Sequence, residues 1–296
     1  MSLKPIVSVV MITYGHENYI HQAIEGVLMQ QFDFEVELII ANDCSPDDTD
    51  EVVKNIISSN LTNIKIIYFK HEKNIGMMPN FIFALEKAKG KYIALCEGDD
   101  YWTDFYKLQK QVDFLEANST YSACFTDVAL LNEEKLTPNA LKEKHKKDSD
   151  AISIFYDTWI PTLTLFFRNS MLVNPLPKQF KKVNNGDLFL FYLLAQKGEI
   201  GYLDTITGVY RQHENGVWSG ANKLQQLNKS MVSLKLMNSF FSYNEKINFI
   251  LKERLLNTYW SKCKLHYNSK QYKNFSLTIL QVFLKNPLFT LKKLLQ

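Results

Sequence analysis

No apolar run in this chain approaches the roughly 20 residues that a bilayer-spanning helix needs. The opening Met1-Ser2-Leu3-Lys4-Pro5-Ile6 has no cationic region, long apolar core or cleavage site of the secretory kind. The expectation is a soluble cytoplasmic protein, at most peripheral at the inner face of the cell membrane. Cysteine is sparse and scattered: Cys44, Cys96, Cys124 and Cys263 form no Cys-x-x-Cys pair and no Cys/His ligand spacing. That argues against a zinc site and a disulfide framework, and suits a reducing compartment. An excess of one charge is also missing. Lys and Arg number 34 against 31 Asp and Glu, a net +3, which makes no electrostatic case for nucleic acid. Gly-rich phosphate loops are absent too. Tyr14-Gly15-His16-Glu17-Asn18, after the first apolar run, holds one Gly and no Lys or Arg. This counts against a nucleotidyltransferase, and no Gly-x-Gly-x-x-Gly marks a dinucleotide site. There is no internal repeat and no low-complexity tract.

What is present is an alternation. Buried strands are predicted over Ile6–Thr13, Val36–Ala41, Ile64–Phe69 and Tyr92–Cys96. Between them lie amphipathic helices over Tyr19–Gln30, Thr49–Ser58 and Pro79–Ala88, with Pro in a first turn and Gly90 as a stop. The rhythm implies an α/β fold: a mostly parallel sheet with helices on both faces. Ligands in such sheets bind outside the carboxyl ends of the strands. Three polar clusters lie there: Thr13-Tyr14-Gly15, Asn42-Asp43-Cys44-Ser45 and Glu97-Gly98-Asp99-Asp100. Beyond residue 100 a helix is expected over Lys107–Glu116, strands over Ser122–Asp127 and Leu163–Phe167, and a helix over Asp187–Lys197. Short strands follow at Tyr202-Leu203 and Gly208–Arg211. Glu133–Asp150 is charged and reads as a mobile, solvated loop. A change to Lys-rich helical composition places a boundary near 221. Residues 1–221 then form one domain, with halves of 1–105 and 106–221, and 222–296 a helical segment.

Glu97 to Asp100 concentrates three carboxylates in four residues at a strand end. Such groups repel one another, and the usual compensation is a divalent cation with hard oxygen ligands. A solvated acidic turn is the alternative that spacing leaves open.

The order of these segments resembles the family 2 glycosyltransferases. Val7-Ser8-Val9-Val10-Met11-Ile12-Thr13-Tyr14 is similar to the family's opening strand, and Asn18-Tyr19-Ile20 to Gln30 to the stretch after it. Asn42-Asp43-Cys44-Ser45-Pro46-Asp47 resembles its Asp-Asp-Gly-Ser segment, and Asn74-Ile75-Gly76 through Asn80 its Asn-x-Gly segment. Glu97-Gly98-Asp99-Asp100-Tyr101-Trp102 stands where the family has Asp-x-Asp-Asp. The resemblance covers roughly residues 5–220 and implies the GT-A fold, a nucleotide-binding half joined to an acceptor half.

It also implies roles. Asp43 would accept a hydrogen bond from the nucleotide base, commonly uracil, with Thr13 and Tyr14 framing base and ribose. Asn74 and Asn80 would contact the diphosphate or donor sugar, with helix capping the alternative for Asn74. Asp99 would hold Mg²⁺ or Mn²⁺ against the diphosphate, where the ion acts as a Lewis acid. Glu97 replaces the more usual Asp, and Gly98 and Asp100 complete the donor-sugar and diphosphate corner, Asp100 alternatively fixing the loop. Trp102 fits packing better than a sugar platform. In Asn184-Asn185-Gly186-Asp187, Asp187 would be the general base of an inverting transfer; a helix N-cap is the competing reading. Gly186 stands where the family often has Glu, implying a more flexible approach to the base. In Tyr210-Arg211-Gln212-His213, Arg211 would clamp a phosphate and His213 would sit on the metal or diphosphate. Glu214–Gly220 has the composition of a loop that closes over the donor.

The expected function is transfer of a sugar from a nucleotide-diphosphate donor, UDP-linked, to a glycan or lipid-linked acceptor. A catalytically inactive glycan-binding scaffold and a nucleotidyltransferase are the alternatives. Residues 222–296 carry no catalytic signature; Phe240, Phe241, Phe249, Ile250, Leu255, Leu256, Tyr259 and Trp260 fit packing faces. The basic-apolar end, Leu288 to Leu295, suits an anionic membrane surface or a homodimer contact equally.

Overall fold

The computed structural model describes residues 5–157 and 159–295. Met1–Lys4, read above for a leader, lies outside them. Four parallel strands form the first half: β1 (Val7–Thr13), β2 (Val36–Asn42), β3 (Lys65–Lys70) and β4 (Tyr92–Leu95). They lie in the order β3-β2-β1-β4. Each crossover carries a helix: α1 (Ile20–Leu28), α2 (Thr49–Ser59) and α3 (Met77–Lys87). Side chains alternate across the sheet with a period of two. Val10, Ile39, Ala41, Ile93 and Leu95 pack with α3 on one face. Val9, Met11, Leu38, Ile40 and Ala94 pack with α1 and α2 on the other. Covering on both faces is why these strands read as unbroken apolar runs.

The sheet continues through β8 (Phe166–Arg168), β6 (Tyr121–Asn132), β9 (Glu199–Gln212) and β5 (Tyr101–Trp102). β8 is antiparallel to β4 and β6, β6 and β9 are parallel, and β5 is antiparallel to β9. A short β7 (Lys135–Thr137) edges β6. α4 (Lys107–Ala117), α5 (Ile154–Asp157) and α6 (Gly186–Ala195) pack around this half. The expected α/β class is observed, with a helical C-terminal segment.

Three segments differ from expectation. The two short strands near 202 and 208 are one 14-residue strand. Its polar middle hid it, and register shifts around Asp127 absorb the irregularity. The strand expected at Leu163–Phe167 starts later, because Pro161 opens a 3-10 turn over Thr162–Thr164. Glu133–Asp150 is not simply solvated. Leu141 and His145 are buried, and the Leu141 N–H donates to Asp127 Oδ1 at 2.9 Å.

The C-terminal helices are α7 (Lys223–Phe240), α8 (Glu245–Asn268), α9 (Tyr272–Lys285) and α10 (Pro287–Leu294). A capping box of Asn222 and Gln225 starts α7, one residue past the expected boundary. Leu234, Met237, Phe241, Ile250 and Leu251 share one core cluster with α6, so the segment is built onto that helix. Phe241, Ile250, Leu256 and Tyr259 are buried as expected; Phe249 is 64% exposed and does not pack. Among the described residues no helix is long and apolar enough to cross a membrane.

Candidate active site

The carboxyl ends of β1, β2 and β4 converge. Thr13 pairs with Asn42, the Asp43 N–H donates to the Thr13 carbonyl at 3.0 Å, and the Gly98 N–H donates to that of Ile12 at 3.0 Å. A cavity of about 470 Å³ opens there. Thr13, Tyr14, Asp43, Asn74, Asn80, Glu97, Asp99, Asp100, Asp187 and Arg211 all line it. The loop after β1 is held by three successive backbone donors. Gly15 donates to Ser45 Oγ at 3.0 Å, His16 to Thr49 Oγ1 at 2.9 Å, and Glu17 to Asp47 Oδ2 at 3.0 Å. This holds His16 in the wall, its Nε2 3.8 Å from Asp99 Oδ2.

The acidic turn is not solvated. Asp100 Oδ1 accepts the Arg211 N–H at 2.8 Å, and burial, with Asp99 and Glu97 nearby, pushes its carboxyl well above the usual range. Burial and the charge of Asp99 push Glu97 up to about 8, and its Oε2 is buried with no partner among the described residues. Asp99 differs. Burial would raise it, but the hydrogen bond to His213 Nε2 at 3.2 Å and the charges of His16 and His213 outweigh that and lower it. Tyr210 faces all four carboxylates; burial first, then Asp100, Asp99, Glu97 and Asp187, raise its phenol.

Arg211 is heavily engaged. Its Nη1 donates to the Asp99 carbonyl at 2.7 Å and its Nη2 to Gln22 Oε1. The guanidinium lies 4.4 Å from the Tyr101 ring centre and 5.2 Å from that of Tyr19. Each terminal nitrogen thus gives one of its two N–H groups to the protein, which fixes the guanidinium in the cavity wall.

Asp187 sits in the first turn of α6, where the N-cap is Asn185. The N-cap reading of Asp187 is therefore replaced. Its Oδ2 is 3.5 Å from Thr162 Oγ1, and burial raises its carboxyl above the ordinary Asp value. Gly186 is not a source of flexibility. It is helical, and a Cβ there would collide with Met78.

Other expected site residues take different parts. Asn80 commits both ends of its amide: Nδ2 donates to the Ala41 carbonyl at 2.9 Å, and Oδ1 lies 2.9 Å from His71 Nε2. It ties α3 to β2 at the cavity wall. Asn74 Oδ1 accepts the Gly76 N–H at 3.0 Å as an Asx turn, while Gly76, not Asn74, is the N-cap of α3. Gly98 packs below the cavity; an added Cβ would stand 2.8 Å from Thr13 Oγ1 and 2.9 Å from Ile20. Asp43 accepts the Ile75 N–H on one carboxylate oxygen at 2.7 Å and the Gly76 N–H on the other at 2.9 Å. Gly76 has φ +93°, the conformation that this lip requires. Trp102 is buried and donates to the Leu163 carbonyl at 2.8 Å, as the packing reading expects. Asn215 to Ser219, in the expected closing loop, line the cavity.

Three participants escaped sequence reasoning. His16 lies in the loop after β1, where no local pattern marks an imidazole for the cavity wall. Ser233 of α7 accepts the Asn184 and Asn185 N–H groups at 2.9 and 3.2 Å, fixing the approach to Asp187. Arg254 of α8 lines the cavity, with Nη1 donating to the Phe155 carbonyl at 2.8 Å and to the Tyr192 hydroxyl. Nothing in a helical packing pattern announces either of the last two.

For a divalent cation, Asp99 offers a carboxylate and His213 an imidazole, and the orphaned Glu97 Oε2 stands in the same turn. Among the described residues no group of three or more His, Cys, Asp or Glu is arranged as a metal site. The donor set fits an ion that takes its remaining ligands from phosphate and water, as Mg²⁺ commonly does.

Residues 8–172 match the family described as Glycosyl transferase family 2. Uncharacterised proteins of Mycobacterium bovis and Mycobacterium tuberculosis are 33% identical over 215 residues, 72% of this chain and 61% of theirs. The matched part of the chain thus spans about three fifths of those relatives. The putative teichuronic acid biosynthesis glycosyltransferase TuaG of Bacillus subtilis is 26% identical over 261 residues, 85% of this chain and 98% of its own. Among solved structures, S. aureus TarS in complex with UDP-GlcNAc superposes with a TM-score of 0.60 at 16% identity, covering 95% of this chain and 92% of that one. The mannosyltransferase PcManGT of Pyrobaculum calidifontis, in complex with GDP-Man and Mn²⁺, gives 0.65 at 12% identity, covering 99% and 79%. At such identities the likeness concerns the fold.

Proposed function

The chain belongs to glycosyltransferase family 2, and from that premise we propose that it transfers a sugar, with inversion, from a nucleoside-diphosphate donor to a hydroxyl acceptor. The carrying observation is that Asp187 lines the same cavity as Asp43 and Asp99. In this reading the groups for base, diphosphate and acceptor face one space.

The donor is a UDP-sugar in this reading, with Asp43, Thr13 and Tyr14 on the base and ribose. The TarS complex with UDP-GlcNAc supports that choice. Mn²⁺ or Mg²⁺, held by Asp99 and His213, would neutralise charge on the departing diphosphate; Mn²⁺ in the PcManGT complex supports it. Asp187 takes the proton of the acceptor hydroxyl. That oxygen bonds to the anomeric carbon as the bond from carbon to the phosphate oxygen breaks, and a single displacement inverts the centre. Burial raises the Asp187 carboxyl, making its carboxylate a stronger base than an exposed Asp. Arg211 holds the shape of the acidic turn, and the Glu214–Gly220 loop closes over the donor. The acceptor is a hydroxyl of a glycan or a lipid-linked saccharide. The name of an Escherichia coli relative, a glucosyltransferase acting on an α-D-GlcNAc-diphosphoundecaprenol acceptor, supports the lipid-linked form; that match is 33% identical over 116 residues. Such an acceptor would bring the protein to the inner face of the membrane.

Calorimetric titration of UDP with and without Mn²⁺, followed by a hydrolysis screen across nucleotide sugars, tests the reading. Metal-dependent UDP binding with turnover of one UDP-sugar is expected. Absence of metal-dependent UDP binding overturns the donor assignment, and binding without any turnover returns the chain to a non-catalytic glycan-binding role.

A further inference from the structure

We propose that the outward face of α9 and α10 is a docking surface for an anionic phospholipid bilayer. The inference is independent of the catalytic reading. α9 has two apolar faces. Thr278 and Val282 are buried, and Phe275 and Ile279 pack beside them in the small C-terminal core. On the opposite side Leu277, Leu280 and Leu284 are exposed, spaced three and four residues apart along one helical face. α10 repeats the arrangement with Leu288, Leu291 and Leu295, which are also exposed. Leu284 and Leu288, flanking the turn between the helices, are 74% and 80% exposed. An intramolecular core needs only the first face, and exposed apolar area of this extent marks a contact with something else.

Charge identifies the occupant. Residues 254–296 contain eight of the chain's 34 Lys and Arg and none of its 31 Asp and Glu. The first 253 residues therefore hold 26 basic against 31 acidic side chains, so the excess of positive charge is confined to the segment that bears the apolar face. Lys273 lies one turn before Leu277, and Lys292 one turn after Leu288, so both stand on the outward faces. Basic residues bordering an apolar helical face fit anionic headgroups above acyl chains. A self-complementary dimer contact would bring these lysines together with no carboxylate between them, which disfavours it.

The test is flotation of the full chain with vesicles of phosphatidylcholine alone or with roughly 30% phosphatidylglycerol, at about 0.1 M salt. Binding to the anionic vesicles at least about tenfold tighter than to the neutral ones is expected, weakening as salt rises. Replacing Lys273, Lys292 and Lys293 with Gln should lower partitioning about 100-fold, near fivefold for each lysine. Leu284→Ser with Leu288→Ser should lower it with the lysines intact. All five positions lie on the surface helices, and a circular-dichroism melt checks that each variant folds; should one not, the comparison of the two vesicle types on the unaltered chain decides alone. No flotation with anionic vesicles, equal flotation with both, or concentration-dependent dimerisation without flotation would each overturn the proposal.

Discussion

Asp100 Oδ1 accepts the backbone N–H of Arg211 at 2.8 Å across 111 positions of sequence. The Arg211 side chain returns a bond to the Asp99 carbonyl. The acidic turn after β4 is thus shaped by β9, and both residues serve the turn's geometry. Asp100→Ala leaves the buried Arg211 amide without its partner and should destabilise the fold by about 1–3 kcal/mol in urea unfolding. Asp100→Asn keeps an acceptor, and since burial already disfavours the ionised carboxyl, it should cost less than the Ala change. Equal losses would refute the acceptor role.

Asp187→Asn should lower sugar transfer by about 10²–10⁴-fold, the range of a lost general base. UDP affinity should stay within a few-fold. Discontinuous transfer assays beside calorimetry measure both, and normal turnover in this variant would remove Asp187 from the mechanism.

Burial raises the Asp187 carboxyl, which fixes two pH signs. The base must be ionised, so kcat should climb with pH through a midpoint above the ordinary Asp value; an acid limb at or below that value contradicts the assignment. The folded protein also holds this proton more tightly than the unfolded chain does. Its contribution to stability is full below the unfolded pKa and is lost as pH rises through the folded one. At neutral pH Asp187→Asn should therefore melt higher than the parent while transferring poorly.

Five carboxylates and two guanidinium groups line the cavity, and Arg211 has both terminal nitrogens engaged. A nucleotide diphosphate entering alone meets the Asp99 carboxylate, whose ionised form His213 and His16 favour. Mn²⁺ and UDP should each raise the other's affinity by one common factor, of the order of 5–150-fold. Asp99→Asn should abolish that coupling and leave metal-free UDP binding almost unchanged. Titrating UDP at several Mn²⁺ concentrations checks the reciprocity, and coupling that survives the substitution places the ion elsewhere.

The first half of the fold was legible because its strands are covered on both faces and its helices bury one stripe each. β9 was not, since a strand with Asp204 and Thr205 at its middle breaks the apolar run that reveals its ends. Asp43 and Asp99 stand at strand ends, where local pattern alone also allows a plain turn, and Asp187 stands where it equally allows a helix cap; the resemblance singled them out, and all three line one cavity. The bracing part of Asn80 was not legible, because a buried amide that ties α3 to β2 looks, in sequence, like one that awaits a ligand. Ser233 and Arg254 were invisible because they arrive from helices whose pattern encodes only packing. Gly98 was visible as a glycine, but the close approach of Thr13 and Ile20 that excludes a Cβ there is stated by no local sequence.

Asp43 holds the 74–76 lip through two backbone amides before any ligand arrives. The entropy of ordering that lip is charged to folding, so association on this side begins from a preorganised wall. Binding strength there is accordingly coupled to local stability. A change at Asp43 that frees the Ile75 and Gly76 amides would weaken a ligand's hold by more than the loss of its own contact, and the surplus would appear as slower capture by a floppier rim.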